Sequence, residues 1–403
     1  MRRLLFFVLF ISGLSAGIFL NNRNRAREIY RTVCDLAEEH FYNADEHLDH
    51  WVWTCRLKAA KVSPTLTTAQ LVGEIQAQMD TLNVSHFMIY SPAEDKKIWK
   101  GEAVDTGIRS RYVEDHLMIY KIIPNSPAAE VDLRPGDEIV EIIGVSQVTP
   151  WGAQNRSGTF SVLRGEDILT KEVQAREISL SLEPTLRKPS SSVGILEIPS
   201  FRSEYFEKDQ WKTMVEQILP LSHVIIDIRE NAGGNFVAML RVLSTFHCGG
   251  KLIGTLSQPR KDAPDREGFD DNTQDSYQIE VLENSRNLDM VTYDDYGCFK
   301  GKVTVLISSD TASTAEIFAQ SFFSRPRSQV WGVPTAGDVV LAVWFDLPAL
   351  GKGYSISIPE AVYITPDGEV LENRGVAPQK EIYHDLKQAK LGKDTFIEEA
   401  IRR

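Results

Sequence analysis

Two buried strands, each followed directly by a turn and a helix, constrain the fold of this 403-residue chain most strongly. The apolar run HVIIDIR (223–229) leads through the glycine turn NAGGN into the helical pattern FVAMLRVLSTF. The run VTVLISS (303–309) leads through a short polar turn into the helical pattern STAEIFAQSFF. Continuous apolar strands that alternate with helices are typical of a sheet covered by helices. We therefore predict an α/β core over residues 187–403.

The N-terminus has a different composition from the rest of the chain. Arg2 and Arg3 precede an uncharged stretch from Leu4 to Leu20 that contains small residues near its end. This layout predicts a secretory signal over residues 1–20, with an uncleaved membrane anchor as the alternative. Either segment implies that the bulk of the chain is exported, to the periplasm or outside the cell.

Charge and cysteine content narrow the possible partners. The net charge is −12 and no long basic block occurs, which argues against a nucleic-acid partner. The chain has four cysteines, and an even number in an exported protein permits two disulfides, although four buried free thiols fit equally well. No pair has the C-x-x-C spacing of a zinc site, so we expect no metal.

Ahead of the core, two regions differ in periodicity. Apolar residues recur at helical spacing between about residues 25 and 80, and the segment PTLTT predicts a helix end followed by a newly capped helix. We assign residues 21–100 to a helical region that also carries the first part of the core. Residues 101–186 consist of short β-runs and turns, and Gly136 beside Asp137 is a strong turn signal.

The β-rich region resembles a PDZ domain of the kind that occurs in carboxyl-terminal processing (tail-specific) proteases. The matching motifs are Thr106-Gly107-Ile108, Asn125-Ser126-Pro127-Ala128-Ala129 and Leu133-Arg134-Pro135-Gly136-Asp137-Glu138-Ile139. Asp132 stands where the family usually has glycine, which affects only a local loop. The resemblance implies a PDZ domain over residues 101–186.

Ser313 lies at the junction between the second buried strand and its helix. A hydroxyl at such a junction is exposed, and the start of a helix favours developing negative charge. The same residue types also fit a simple helix cap, with Glu316 completing a capping box. From the residues alone, Ser313 is a candidate nucleophile or an N-cap, and Thr314 is a second candidate for the cap.

Three further motifs resemble the same protease family. They are Thr311-Ala312-Ser313-Thr314-Ala315-Glu316, the turn Asp227-Ile228-Arg229-Glu230-Asn231-Ala232-Gly233-Gly234, and Gly332-Val333-Pro334-Thr335-Ala336-Gly337. The resemblance implies that Ser313 is the nucleophile, and that backbone N–H groups of Gly233, Gly234 and Thr314 form the oxyanion hole. It also implies a ClpP/crotonase-like core of the α/β (α+β) type with an inserted PDZ domain and an N-terminal helical segment.

The general base departs from the main pattern of the family. Asp338 occupies the position of the lysine that deprotonates the serine in the bacterial and plastid enzymes. However, Ser85-His86 and Glu372 in Glu372-Asn373-Arg374-Gly375-Val376-Ala377-Pro378 are similar to residues of tricorn-type members, which lack that lysine. This resemblance implies that His86 is the base and that Glu372 orients it through Ser85. Lys352 is a rival base.

The family also suggests a substrate. A PDZ domain adds a peptide as an extra strand and holds its terminal carboxylate on backbone N–H groups. Here the candidate loop is Thr106, Gly107, Ile108 and Arg109, although the domain could instead only gate the active site. We expect a serine endopeptidase without metal or organic cofactor that acts on C-termini or unfolded chains. The alternative is an inactive pseudoprotease that serves as a peptide-binding scaffold.

Overall fold

The computed structural model describes residues 25–43, 45–180 and 182–402. The predicted signal or anchor at residues 1–20 lies outside these ranges. Within them, no helix is long and apolar enough to cross a membrane.

Three of the described helices start with proline, and several others are amphipathic. In chain order they are α1 (25–40), α2 (Glu46–Lys61), α3 (Thr68–Met79), α4 (Pro92–Lys100), α5 (Pro127–Glu130), α6 (Pro150–Asn155), α7 (Lys208–Ile218), α8 (Phe236–His247), α9 (Asp275–Glu283), α10 (Thr314–Ser321), α11 (Leu386–Lys390) and α12 (Thr395–Arg402).

The described strands form four sheets. They are β1 (Met88–Tyr90), β2 (Glu102–Asp105), β3 (Ile108–Val113), β4 (His116–Ile122), β5 (Glu138–Ile142), β6 (Gly158–Arg164), β7 (Asp167–Val173), β8 (Arg176–Ser179), β9 (Thr185–Arg187), β10 (Val193–Glu197), β11 (His223–Asp227), β12 (Leu252–Ser257), β13 (Asn287–Val291), β14 (Lys302–Ile307), β15 (Ser328–Gly332), β16 (Leu341–Asp346), β17 (Ser355–Ile364) and β18 (Lys380–Glu381).

The chain divides into two compact units, each assembled from separate stretches. The first contains residues up to Asp95 together with Leu252–Val291 and Gly337–Arg374. The second contains Lys96–Lys251, Thr292–Ala336 and Gly375–Arg403. Residues of the predicted core at 187–403 occur in both units, and the predicted domain boundaries stay a prediction.

In the first unit, helices α1 to α3 pack with a sheet in the order β1-β17-β12-β13, and β16 also pairs with β17. The predicted helix end and restart are confirmed, because α2 ends at Lys61 and α3 begins after Thr67. Thr67 and Gln70 form a reciprocal capping box that satisfies free N–H groups at the start of α3. A disulfide joins Cys34 of α1 to Cys55 of α2.

The second unit contains a six-stranded sheet in the order β18-β15-β14-β11-β10-β9. Apart from the β9–β10 pair, neighbouring strands are parallel. Asp227 at the end of β11 lies opposite Leu306 near the end of β14, so the turns that follow these two strands are neighbours. The predicted strand–turn–helix units at β11–α8 and β14–α10 are confirmed. A second disulfide joins Cys248 and Cys298, so the described cysteines are paired.

The predicted β-rich region, also in the second unit, forms a five-stranded antiparallel sheet in the order β3-β4-β5-β6-β7. Its buried side chains form a hydrophobic cluster that runs from Ile108 to Val173. Strands β2 and β8 pair with each other where the chain enters and leaves this sheet. We call residues 102–179 the inserted β-segment; its identity as a PDZ domain stays a prediction.

Candidate active site

Ser313 occupies a strained position between β14 and α10. Its backbone dihedrals are φ 58° and ψ −129°, which L-residues other than glycine rarely adopt. Such strain persists only where surrounding contacts hold it, and it is concentrated at functional sites. A serine that merely caps a helix adopts the extended region instead. The predicted capping box between Ser313 and Glu316 is present, and the role of Ser313 as nucleophile stays a prediction.

Glu316 explains how the turn holds this geometry. Its side chain is completely buried, and Oε2 accepts a hydrogen bond from the Ser313 N–H at 3.0 Å. Oε1 accepts another from the Thr335 hydroxyl at 2.6 Å. The carboxylate thus anchors the backbone of Ser313 to the turn that follows β15.

The glycine turn after β11 is hydrogen-bonded to the serine turn at several points. Ser308 donates its hydroxyl to the Arg229 carbonyl at 2.6 Å, and Thr314 donates its hydroxyl to the Gly234 carbonyl at 2.8 Å. The Ala312 N–H donates to a carbonyl of the same glycine turn at 3.1 Å. These bonds fix the two turns as one rigid element.

Gly233 lies directly against the candidate nucleophile. A Cβ atom placed on it would be 2.8 Å from the Ser313 Cβ and 3.1 Å from its Oγ. Gly233 and Gly234 both have positive φ values, 105° and 141°. Only glycine fits the close approach at Gly233, which places backbone polar groups beside the serine hydroxyl.

The three predicted oxyanion donors differ in their engagement. The Gly233 N–H already donates to Oδ1 of the buried Asn231 at 2.8 Å. Gly234 and Thr314 are joined by the hydroxyl–carbonyl bond described above. The N–H groups of Gly234 and Thr314 stay predicted oxyanion donors, whereas the Gly233 N–H is already engaged with Asn231.

Arg229 stabilises the glycine turn through hydrogen bonds to two carboxylates. Its guanidinium forms two hydrogen bonds with Asp227, at 2.8 and 2.6 Å, and a third with Asp394 at 3.0 Å. Burial lowers the pKa of Arg229, but the two carboxylates outweigh it, and the pKa is raised above its ordinary value. The sequence motif Asp-x-Arg is thus a structural clamp for the turn.

In the first unit, His86 has the features of a neutral base. Its backbone is strained, with φ 56°, and its Nε2 atom is shielded from solvent without a hydrogen-bond partner among the described residues. Burial lowers the pKa of His86, partly opposed by Asp338 and Glu372 and by a hydrogen bond between the ring and the Asp338 backbone. One ring nitrogen engaged with a backbone acceptor leaves the other as a proton acceptor.

Ser85 and Glu372 form the hydrogen-bonded pair that the tricorn-type resemblance implies. Oε1 of Glu372 accepts from the Ser85 N–H at 2.7 Å, and Oε2 accepts from the Ser85 hydroxyl at 3.0 Å. Oε2 also accepts from the N–H groups of Val339 and Val340, at 2.8 and 3.1 Å. The carboxylate fixes both the segment that carries His86 and the segment that carries Asp338.

Comparison with known proteins identifies the core. Residues 192–382 match the model of Peptidase family S41. This match confirms the predicted serine-type peptidase family.

The S41 relationship extends to curated sequences. A Staphylococcus aureus protein (strain bovine RF122 / ET3-1) described as "Probable CtpA-like serine protease" is 21% identical over 291 residues, which are 70% of this chain and 53% of that protein. The chain thus spans about half the length of this curated relative.

Solved structures agree on the fold. The photosystem II D1 C-terminal processing protease has a TM-score of 0.53 at 16% identity, covering 92% of this chain and 98% of that one. The tricorn protease has a TM-score of 0.53 at 17% identity, covering 94% of this chain and 36% of that one. At these identities the likeness shows a mixed α/β fold of the S41 protease type.

The rival base Lys352 belongs to a turn between β16 and β17, where Gly351 and Gly353 flank it and its side chain is exposed. The exposed side chain of Lys352 thus differs from that of His86, whose Nε2 is shielded from solvent, and the identity of the base stays a prediction.

The predicted peptide-binding loop is buried and internally bonded. Thr106, Gly107 and Ile108 are buried, and Arg109 pairs with Asp105 at 3.0 Å. The Gly107 N–H donates to the Asp105 carboxylate at 2.6 Å, and the Ile108 N–H donates to the Thr106 hydroxyl at 3.2 Å. Its role in binding peptides stays a prediction.

Sequence reasoning missed several supporting residues of this candidate site. Asn231 had been noted only as part of a motif, and Val339 and Val340 carried no signal because they act through backbone N–H groups. No role could be assigned to Asp338 from the sequence. In the structure, its backbone forms a hydrogen bond with the His86 ring. The replacement of the family lysine by aspartate was the signal in the sequence that pointed to position 338.

Proposed function

We propose that this chain is a serine endopeptidase that hydrolyses peptide bonds in exported polypeptides. The observation that carries the proposal is the strained backbone of Ser313, held by Glu316 and packed against Gly233. In this role, Oγ of Ser313 attacks the scissile carbonyl carbon and forms an acyl-enzyme. Water then hydrolyses the acyl-enzyme and regenerates the serine.

His86 is the proposed general base and acid. It takes the proton of the Ser313 hydroxyl and gives it to the leaving amine. The lowered pKa of His86 supports this role, because the imidazole is then neutral near pH 7. Its unpartnered Nε2 is the atom on which we place the transferred proton.

Ser85 and Glu372 are the proposed orienting residues. Burial lowers the pKa of His86 overall, and the negative charge of Glu372 opposes part of this shift. The charge of Glu372 thus favours the imidazolium that forms during the reaction. The hydrogen bond between the ring and the Asp338 backbone supports a share of the orienting role for that residue. Asp338 thus takes part in positioning the base that replaces the family lysine.

The negative oxygen of the tetrahedral intermediate is assigned to backbone donors. The N–H groups of Gly234 and Thr314 are the proposed pair, with Gly233 as a third candidate whose donor must first leave Asn231. Donors of this kind stabilise a transition state by about 3–4 kcal/mol each. The N-terminal end of α10 adds a favourable dipole.

The remaining parts of the proposal concern architecture and location. We assign the mainly parallel sheet to a ClpP/crotonase-like core and the inserted β-segment to a PDZ domain that captures peptides. Edge strand β3, paired only with β4 among the described strands, supports addition of an extended peptide. The basic and apolar N-terminal sequence and the two disulfides support an extracytoplasmic location.

The test is cleavage of casein by the purified protein. Wild type is compared with Ser313→Ala, His86→Ala and Lys352→Ala, the last being the control at the rival base. We expect wild type and Lys352→Ala to cleave and the other two to lose activity by a factor of about 10³ or more. Activity lost in Lys352→Ala and kept in His86→Ala would refute the assigned base.

The alternative is a peptide-binding scaffold without turnover, which rests on Asp338 in place of lysine. A serine-directed covalent probe separates the two functions. Labelling that depends on Ser313, together with casein cleavage, supports the enzyme. Casein binding without labelling or cleavage by wild type supports the scaffold.

A further inference from the structure

The loop that should receive a peptide's terminal carboxylate already contains a carboxylate of the chain itself. Asp105 is completely buried at the end of β2, directly ahead of the loop. Its Oδ1 accepts from the Gly107 N–H at 2.6 Å and from the Arg109 guanidinium at 3.0 Å. Its Oδ2 accepts from the Gln154 amide at 2.8 Å.

The other donors of the loop are also engaged. Thr106 donates its N–H to the Gln154 carbonyl at 2.8 Å and its hydroxyl to the Ala153 carbonyl at 2.8 Å. The Ile108 N–H donates to the Thr106 hydroxyl. These bonds join the loop to the last turn of α6, so the donors cannot turn outward without losing several buried hydrogen bonds.

The cation of the loop is also already paired with a carboxylate. Arg109, the cation that would attract an incoming carboxylate, is mostly buried and forms its ion pair with Asp105. A second carboxylate at this place would lie beside a buried negative charge and would find no free cation in the loop. Like charges brought together at an interface cost several kcal/mol, so this arrangement discriminates against a free C-terminus.

We propose that Asp105 is a specificity-determining residue that makes the inserted β-segment select internal, extended stretches of polypeptide over free C-termini. The occupant pairs its backbone with the open edge of β3, and no terminal charge is needed or accepted. This inference rests on the proposed peptide-binding role of the segment. It narrows the substrate class from C-termini or unfolded chains to unfolded chains cleaved without a C-terminal requirement.

The experiment measures peptide affinity in the full chain carrying Ser313→Ala, so that binding is separated from cleavage. Fluorescent peptides that tile one casein chain are made in two forms, with a C-terminal carboxylate or a carboxamide, and are titrated by fluorescence anisotropy. In this protein we expect the two forms to bind with Kd values within about threefold of each other.

Asp105→Ala frees the Gly107 N–H and Arg109, and should shift the preference toward the carboxylate form by about tenfold. Asp105→Asn keeps the size of the side chain and should shift the preference in the same direction by a smaller factor, which guards against a folding defect in the alanine variant. Asp132→Ala is the matched control, because this exposed aspartate of the same segment pairs with Arg134 and Arg164. It should leave the ratio unchanged.

A preference of about tenfold for the carboxylate form without any change at Asp105 would overturn the inference. An unchanged ratio in both Asp105 variants would also overturn it. If no peptide binds in either form, peptide capture on this segment is refuted along with the inference. Casein cleavage by wild type then still decides the proposed activity on its own.

Discussion

Gly233→Ala separates the role of this residue at the candidate nucleophile from its role in the fold. An alanine Cβ would lie 2.8 Å from the Ser313 Cβ, whereas carbon atoms in contact are separated by about 3.5–4.0 Å. The serine side chain must therefore move by about 1 Å. A displacement of this size can reduce a rate about 100-fold, which corresponds to about 2.7 kcal/mol in the activation free energy.

The matched control is Gly144→Ala in the inserted β-segment. Gly144 also has a positive φ, 81° against 105° for Gly233, but a Cβ there would have no neighbour within 4 Å. Both variants should lose about 1–3 kcal/mol of folding free energy from the backbone conformation alone. Urea unfolding measures the loss of folding stability in each variant. Casein cleavage rates at saturating casein, expressed per folded protein, measure the effect on catalysis. An activity of Gly233→Ala within about threefold of the control would refute the reasoning.

Three further predictions follow from the described contacts. Because burial lowers the pKa of His86, the acidic limb of kcat/KM should have its midpoint below the ordinary value of 6.5, and Asp338→Asn should move it to still lower pH by removing a charge that favours the imidazolium; an upward shift would contradict this assignment. Glu372→Ala leaves the part-buried donors of Ser85, Val339 and Val340 unpaired, and should lower the free energy of unfolding in urea by about 2–4 kcal/mol and remove most of the activity. Full activity would exclude an orienting role. Replacing Cys34 and Cys55 by serine opens a loop with a sequence separation of 21 and should lower the free energy of unfolding by about 3 kcal/mol, and an unchanged urea midpoint would contradict the estimate.

The local part of the fold was accessible from the sequence. Elements such as β11 with α8 and β14 with α10 combine apolar strands, short turns and amphipathic helices, and each signal lies within one short segment. The parallel register that brings their turns together then follows from the architecture. The local signal made Ser313 a candidate nucleophile or N-cap, and only the family resemblance implied the nucleophile.

Contacts between distant segments were not accessible. β12 pairs with β17, for example Thr255 with Ile364, across more than a hundred residues, and no local pattern specifies that partner. The four hydrogen bonds to Glu372 likewise join segments that are remote in sequence, and three of them come from backbone N–H groups, which every residue except proline possesses. The Ser85–Glu372 pair was anticipated only through family resemblance.

The loop at Thr106–Arg109 shows another kind of limit. Its sequence was matched to a carboxylate-binding motif, yet the orientation of Asp105 decides whether the Gly107 N–H is free. A sequence does not specify which way the side chain of an aspartate ahead of such a loop points. Only the three-dimensional arrangement with Gln154 and Arg109 indicates that it turns into the loop.

The pairing of β2 with β8 makes the inserted β-segment a removable module. Asp105 lies opposite Arg176 and Glu102 opposite Ser179, so the chain enters and leaves on adjacent strands about 5 Å apart. A short turn could bridge these two ends, and the hydrophobic cluster of the module would leave with it intact. Genetic exchange could thus replace the module without breaking any strand of the six-stranded sheet, so the module and the sheet can evolve independently in such a chain.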